Sequence, residues 1–166
     1  MTEVRVAVPA DAYAVARLHA RAWRSAYRGL IDQDYLDGLT PEALVDQYTF
    51  GRVGLRMPST LVALDGPAVR GFATTGLSDL PNLGELMALY VDPACVGSGV
   101  GSSLMRAARG RLRAVGVTDA VLWVLDANAS ARRFYERDGW RPDGACRTTA
   151  FGKGTARLVR YRLAHV

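Results

Sequence analysis

Residues 86–105 read Leu-Met-Ala-Leu-Tyr-Val-Asp-Pro-Ala-Cys-Val-Gly-Ser-Gly-Val-Gly-Ser-Ser-Leu-Met, and this stretch decides the fold. The pattern predicts an apolar strand, a stop at Pro93, a turn with alternating glycines at Gly97, Gly99 and Gly101, and then the start of a helix. Such a turn points backbone N–H groups outward at a helix N-terminus, where unpaired donors and the positive end of the helix dipole attract phosphate. The stretch therefore predicts a site for a phosphorylated ligand.

Two common phosphate-binding motifs do not fit this spacing. A dinucleotide fingerprint that begins at Gly97 or Gly99 requires a further glycine where the chain has Ser102 or Leu104. A Walker loop requires Gly-Lys followed by Ser or Thr, and the only lysine in the chain is Lys153. Both nucleotide-binding interpretations are therefore excluded.

A second block of sequence follows the glycine turn. Residues 121–128 read Val-Leu-Trp-Val-Leu-Asp-Ala-Asn, and residues 134–140 read Phe-Tyr-Glu-Arg-Asp-Gly-Trp. Together with the glycine turn, this strand, Asn turn and helix resemble the GNAT superfamily of N-acetyltransferases. The glycine motif of that family is Arg or Gln, two residues, Gly, one residue, then Gly or Ala. Here the motif falls on Val96 to Gly101, with both small residues matched and valine in the leading position.

The resemblance covers nearly the whole chain and implies an α/β (α+β) fold. We expect a single domain over residues 1–166 with a mixed central sheet of about seven strands, in the order β-α-α-β-β-β-α-β-α-β-β. Hydrophobic periodicity and turn residues predict strands at 4–8, 59–64, 69–77, 85–91, 118–125, 145–149 and 156–163, and helices at 9–27, 40–48, 99–115 and 129–137. Residues 29–39 are predicted to form a loop with a short helical piece, and residues 51–58 a connection. By resemblance, the fourth and fifth strands splay apart after Val91 and Leu125.

Composition excludes several classes of protein. A chain of 166 residues with 49% hydrophobic content is typical of one globular domain. No segment approaches 18 consecutive apolar residues and the N-terminus has no charged stretch before an apolar one, so we expect a cytoplasmic protein with no membrane partner. Cys95 and Cys146 are too few for a disulfide framework, and neither their spacing nor that of His19 and His165 resembles a metal site. Metal and thiol chemistry are not expected.

The net charge of +5 is unevenly distributed along the chain. Residues 1–100 carry 8 arginines against 11 acidic residues, whereas residues 101–166 carry 13 basic residues against 5 acidic ones. The C-terminal part therefore suits a polyanion such as coenzyme A and the N-terminal part suits an amine, although a solvated arginine-rich surface explains the same distribution. A nucleic-acid partner is not expected, because the aromatic residues do not interleave with the arginines.

The resemblance assigns a set of residues to acetyl-CoA, the expected cosubstrate. The pantetheine arm would lie between the splayed strands and pair with their backbone like an added strand, while amides of the glycine turn would hold the pyrophosphate. The expected cofactor-binding residues are Leu89, Tyr90, Val91, Val96, Gly97, Ser98, Gly99, Val100, Gly101, Ser102 and Asn128. Valine at 96 removes a family side chain but no amide, so binding is expected to persist. Helix capping is an alternative role for Asn128.

Two further residues match the catalytic positions of the family. A lysine-like amine has a pKa of about 10.4, so it must lose a proton before it can attack a thioester. Glu85, at the start of the fourth strand, matches a glutamate that accepts this proton directly or through water, and Tyr135 matches a tyrosine that protonates the departing thiolate. Backbone N–H groups near Leu89 and Tyr90 would polarise the thioester carbonyl. The alternatives are an exposed glutamate without a role and a tyrosine of the core.

The acceptor is the least defined part of the site. Trp23 and Tyr27 lie in segments that cover the acceptor in related proteins, although core packing explains them as well. We therefore expect transfer of an acetyl group from acetyl-CoA to a primary amine, directly within a ternary complex, with a small molecule or a peptide as acceptor. A non-catalytic module that senses acyl-CoA is the alternative, and valine at 96 would suit it. The resemblance is also compatible with a homodimer.

Overall fold

A mixed seven-stranded sheet organises the chain. The computed structural model describes residues 2–54 and 57–166. Within these residues the strands are β1 (Glu3–Val6), β2 (Ser59–Asp65), β3 (Ala68–Leu77), β4 (Leu83–Val91), β5 (Asp119–Leu125), β6 (Arg141–Phe151) and β7 (Gly154–Leu163). The helices are α1 (Ala12–Ala26), α2 (Gln33–Asp37), α3 (Pro41–Val45), α4 (Val100–Ala114) and α5 (Ala129–Arg137). The sheet order is β1-β2-β3-β4-β5-β7-β6, with β4 and β5 parallel and all other neighbours antiparallel, which confirms the predicted fold class.

Helices cover both faces of the sheet. On one face α4 buries an apolar stripe that includes Leu104, Ala108 and Leu112, each at most 1% exposed. On the other face α1 packs through Val15 and Leu18, which are fully buried. No helix in the described part of the chain is long and apolar enough to cross a membrane.

The start of α3 agrees with its sequence signal. The backbone N–H of Ala43 donates to Thr40 Oγ1 at 3.3 Å, and Pro41 is the first helical residue, where its missing N–H costs nothing. The helix ends at Val45, earlier than the predicted residue 48. The connection predicted over 51–58 includes residues 55 and 56, which lie outside the described residues.

The sixth strand is longer than its sequence pattern predicts. It begins at Arg141 rather than at residue 145, and its register against β7 shifts between Pro142 and Cys146. Gly144 within this shift has φ of 91°. The turn-forming residues Pro-Asp-Gly therefore make an irregularity inside one strand, whereas sequence periodicity treats them as the end of an element.

The parallel strands β4 and β5 separate earlier than predicted. They pair only from Leu83 to Glu85, which lies opposite Val121, so the splay begins six residues before Val91. The register of β4 against β3 shifts at the same point, because one additional residue, Met87, is accommodated between neighbouring pairs. Such a bulge bends the strand that contains it. It therefore accounts for a gap between the second half of β4 and the second half of β5.

Candidate active site

A cleft of about 990 Å³ opens where β4 and β5 separate. It is lined by most of the residues that the sequence predicts for the site, namely Trp23, Tyr27, Glu85, Leu89, Tyr90, Val91, Val96, Gly97, Gly99, Gly101, Ser102, Asn128 and Tyr135. Ser98 and Val100 do not line it. One continuous cavity thus joins the glycine turn to the predicted catalytic residues.

Asp92 stabilises the segment that leads into the glycine turn at one end of the cleft. This carboxylate is 8% exposed, accepts a hydrogen bond from the backbone N–H of Ala94 at 3.1 Å, and pairs with Arg21 at 3.0 Å. Gly97 and Gly99 then adopt φ of 83° and 88°, a left-handed conformation that other residues enter at a cost. The turn requires glycine at both positions for this reason.

The N-terminus of α4 presents backbone N–H groups to the cleft that have no acceptor within the helix. The first helical hydrogen bond runs from the N–H of Ser103 to the carbonyl of Gly99 at 3.0 Å, so the amides of the preceding residues have no intrahelical acceptor. These include Gly101 and Ser102, which line the cleft. The helix dipole adds a positive potential at the same place. An anion such as a phosphate is the ligand that this arrangement favours.

Two residues of the turn that are predicted to bind the coenzyme, Ser98 and Val100, have side chains engaged within the protein. The N–H of Ser98 donates to the carbonyl of Cys95 at 3.2 Å and its hydroxyl donates to the same carbonyl, so both donors of Ser98 serve the turn itself. Val100 is 4% exposed and its side chain packs into the core beside Gly71. Only the amide of Val100, at the helix N-terminus, is left to interact with a ligand.

The edge of β4 beyond the splay exposes main-chain groups to the cleft. The N–H of Asp92 donates to the carbonyl of Arg70 next to β3 at 2.8 Å. Because backbone groups alternate sides along a strand, those of Leu89 and Val91 point away from β3 and toward the gap. The amide of Tyr90 points to β3 by the same alternation, so of the two N–H groups expected to polarise a ligand carbonyl only that of Leu89 points toward the gap. Tyr90 contributes its side chain instead.

Glu85 is the last residue of β4 that pairs with β5, and it lies where the cleft begins. Its side chain is partly buried, and this burial raises the pKa of the carboxyl above its usual range. The positive charge of Arg147 lowers the pKa and the negative charge of Asp79 raises it, both by less than burial does. A carboxylate of raised pKa is a stronger base than an exposed one, which suits it to accept a proton.

Tyr135 projects into the cleft from α5. Burial raises the pKa of its phenol well above the ordinary value, so the hydroxyl is protonated at neutral pH. Its ring lies 6.5 Å from that of the buried Trp140 and 6.4 Å from that of Tyr161. Tyr135 is thus a neutral hydrogen-bond donor held in a fixed aromatic environment.

A polar network holds α5 in position. The buried hydroxyl of Tyr161 donates to Glu136 Oε1 at 3.0 Å and accepts from Arg132 Nε at 2.9 Å. Arg132 also pairs with Asp126 at 2.7 Å. At the start of the helix, Asn128 Oδ1 accepts from the N–H of Ala131 at 3.3 Å, so Asn128 is a helix cap as well as a cleft residue.

Aromatic side chains form one wall of the cleft. The rings of Trp23 and Tyr27 are 4.7 Å apart, and the hydroxyl of Tyr27 lies 3.2 Å from that of Tyr90. Phe151 extends the wall, with its ring 6.1 Å from Trp23. Trp23 and Tyr27 pack against a buried cluster and also line the cleft. Core packing and a position beside the acceptor are therefore compatible for these two residues.

Several cleft residues were missed by sequence reasoning. They are mainly Trp123 on β5 and Arg147, Thr149 and Phe151 on β6. The alternation of 147, 149 and 151 along one strand is the signal that could have identified the last three, because alternate residues share a face. Within the described residues, no group of three or more His, Cys, Asp or Glu is arranged to hold a metal ion.

The model of the family described as "Acetyltransferase (GNAT) family" matches residues 13–140, which include the glycine turn, Glu85 and Tyr135. The chain belongs to the GNAT family. It is accordingly an acyltransferase of the N-acetyltransferase class. The probable N-acetyltransferase Rv2775 of Mycobacterium tuberculosis is 30% identical over 147 residues, which cover 85% of this chain and 80% of that protein.

Solved structures share the GNAT fold. The PaiA N-acetyltransferase of Thermoplasma acidophilum, solved in complex with coenzyme A, superposes with a TM-score of 0.75 at 18% identity and covers 96% of this chain and 98% of that one. YncA of Salmonella typhimurium, solved with acetyl-CoA, gives a TM-score of 0.71 at 20% identity and covers 98% and 93% of the two chains. At these identities the likeness concerns the fold.

Proposed function

We propose that residues 1–166 form one catalytic domain that transfers the acetyl group of acetyl-CoA to a primary amine. The observation that carries this proposal is one cleft with the glycine turn at one end, Glu85 at the other and the unpaired edge of β4 between them, into which Tyr135 also projects. A substrate with a diphosphate, a chain of amides and a terminal thioester has matching groups in the same order. The coenzyme-bound neighbours of the same fold support it.

The residues present fit coenzyme A through their main chain. Amides of Gly101 and Ser102 would bind the pyrophosphate, and the backbone of Leu89 and Val91 would pair with the pantetheine amides. The side chain of Val96 is 75% exposed and carries no charge, so it adds nothing to phosphate binding. Affinity for the coenzyme would therefore depend on backbone geometry.

The transfer step follows from the two titratable groups. Glu85 takes a proton from the acceptor, and the neutral amine nitrogen then forms a bond with the thioester carbonyl carbon. The carbonyl oxygen is polarised by the N–H of Leu89, the carbon–sulfur bond breaks, and the electron pair leaves on sulfur. The Tyr135 hydroxyl donates a proton to this sulfur, and the second proton of the nitrogen, which is released as the amide forms, restores the Tyr135 hydroxyl. The products are an N-acetylated amine and coenzyme A.

Direct transfer is the form of the reaction that the surroundings of Cys95 favour. An acyl-enzyme would need a base beside this thiol. His19 is engaged elsewhere: its Nδ1 lies 3.0 Å from the Tyr48 hydroxyl, and burial lowers the pKa of the ring to about 4. Glu85 and Tyr135 suffice for one step in which both substrates are bound together.

The experiment that tests the proposal measures binding and turnover separately. The purified protein is titrated with acetyl-CoA by calorimetry, and thiol release is then followed with a panel of primary amines while mass spectrometry detects acetylated product. We expect binding, and release that depends on the amine. Binding without release for any amine would favour the acyl-CoA sensor. The absence of binding at millimolar ligand would overturn both functions.

Replacement of Tyr135 with phenylalanine is expected to lower kcat about 10- to 100-fold, because the thiolate must then leave without a positioned proton donor. The ring is retained, so the affinity for acetyl-CoA should change less than threefold. Stopped-flow detection of thiol release and calorimetry give the two quantities. An unchanged kcat under conditions where chemistry limits turnover would assign Tyr135 a packing role only.

A further inference from the structure

Arg147 of β6 is a charged residue of the cleft that the proposed reaction does not use. Its guanidinium carbon lies 4.2 Å from the centroid of the Trp123 ring, in a cation–π contact. Paired residues of neighbouring strands share a face, and Glu85 is paired with Val121, two residues before Trp123. Arg147 is paired with Leu158 of β7, and Leu158 is paired with Leu125, two residues after Trp123. Glu85, Trp123 and Arg147 therefore lie on one face of the sheet and line the same cleft.

A neighbouring arginine shows what is unusual about Arg147. Arg160 lies 5.7 Å from the same Trp123 ring, but it pairs with Asp143 at 2.6 Å and does not line the cleft. Across residues 2–54 and 57–166, the guanidinium of Arg147 has neither a carboxylate within 4.0 Å nor a hydrogen bond to another residue, although its charge lowers the pKa of Glu85. Its guanidinium stacks on Trp123, Arg147 lines the cleft, and its N–H donors have no partner among the described residues.

A stacked guanidinium with free donors is suited to one kind of ligand group. Its planar fork matches the two oxygens of a carboxylate, and stacking on an aromatic ring reduces the freedom lost when that bond forms. A polyamine or an aminoglycoside would instead bring several positive charges toward Arg147, which is unfavourable. The coenzyme phosphates are served by the opposite end of the cleft.

We propose that Arg147 binds a carboxylate on the acceptor, so that the substrates are primary amines that also carry a carboxylate, as free α-amino acids do. This inference deepens the proposed function and rests on it. The amine would be directed to Glu85 and the carboxylate to Arg147, while Trp23 and Phe151 flank the remainder of the molecule. The negative and positive groups of the cleft would thus match a zwitterion.

The test compares amines that differ only in the carboxylate. L-phenylalanine, L-methionine and L-leucine are each assayed beside their amides, which keep the size and the amine but remove the negative charge. The amine of an amide loses its proton more easily, so basicity alone would favour the amides. We expect kcat/KM to be at least tenfold higher for the acids, mainly through a lower KM.

Variants of Arg147 and Arg160 test which of the two arginines causes the preference for a carboxylate. Arg147→Gln should reduce the ratio of kcat/KM between acid and amide at least fivefold, and Arg147→Lys should retain part of it because the charge remains without the fork. Arg160→Gln is the matched control, since Arg160 contacts the same ring, and it should keep the wild-type ratio. Equal ratios in wild type and Arg147→Gln would overturn the inference.

The outcomes separate this inference from the proposed function. Amine-dependent thiol release that is as fast with the amides as with the acids would leave the acetyltransferase in place and overturn the role of Arg147. If acetyl-CoA binds but no amine is acetylated, the proposed reaction is wrong. Calorimetric titration of L-phenylalanine and its amide into the coenzyme A complex then decides the inference. Tighter binding of the acid that Arg147→Gln abolishes supports it, and equal binding overturns it.

Discussion

Replacement of Glu85 with glutamine is expected to lower kcat about 10²- to 10³-fold, because the amide cannot accept the proton of the acceptor amine. Glutamine has nearly the same size as glutamate, and Glu85 lies at the end of the cleft away from the glycine turn. The affinity for acetyl-CoA should therefore remain within threefold of wild type. Steady-state kinetics with saturating amine and calorimetry with acetyl-CoA measure the two effects.

The pH dependence provides an independent signature of the same residue. Burial raises the pKa of Glu85, so kcat should increase with pH along an acidic limb whose midpoint lies above the usual 4.5 of a glutamate. This limb reports the base form of Glu85 and should be absent in Glu85→Gln. Asp79→Asn serves as the comparison: it removes a charge that raises the pKa of Glu85, so the limb should remain and its midpoint should shift toward lower pH. A Glu85→Gln variant that kept both the rate and the limb would exclude Glu85 as the base.

Replacement of Gly99 with alanine is expected to weaken the binding of acetyl-CoA about 10- to 100-fold. A Cβ at φ of 88° costs about 1–2 kcal/mol, and the turn can relieve this strain only by moving away from its left-handed conformation. Such a movement shifts the amides of Gly101 and Ser102, so several hydrogen bonds to the pyrophosphate would weaken together. Calorimetric titration with coenzyme A measures the loss.

Gly116 offers a matched control for this substitution. It has φ of 90°, lies just beyond the other end of α4, and has no atom within 4 Å of an added Cβ, as is also true of Gly99. Gly116→Ala should lower the melting temperature about as much as Gly99→Ala while leaving the affinity for coenzyme A unchanged. If the two variants bind equally well, the glycine turn does not determine binding.

Local sequence signals were sufficient to predict most helices and strands and the residues at the two ends of the cleft. The alternating glycines predicted both the turn and the start of α4, because the conformation that glycine permits is a property of single residues. Thr40 and Pro41 identified the start of α3 for a similar reason. The seven strands followed from their periodicity and from the family resemblance.

Features that depend on pairing between distant segments were not predictable in this way. The position of the splay is set by the register of β3 against β4 and by the surplus residue Met87, and register is not encoded in either strand alone. Arg147 reaches the cleft because β6 pairs with β7 and β7 with β5, which brings the Arg147 side chain over the Trp123 ring. A charged residue on an edge strand is usually solvated, so only the assembled sheet distinguishes Arg147 from Arg160.

Because β4 and β5 separate early, the binding of a ligand in the cleft should stabilise the folded protein. Peptide groups of Leu89 and Val91 that a neighbouring strand would otherwise satisfy must be hydrated in the empty protein. A ligand whose amides replace that water extends the sheet. Because such a ligand binds the folded protein, it raises the free energy of unfolding by an amount that increases with the logarithm of the ligand concentration. In a cell the acetyl donor would therefore stabilise the enzyme by pairing with the exposed edge of β4, and depletion of the donor would leave a less stable enzyme.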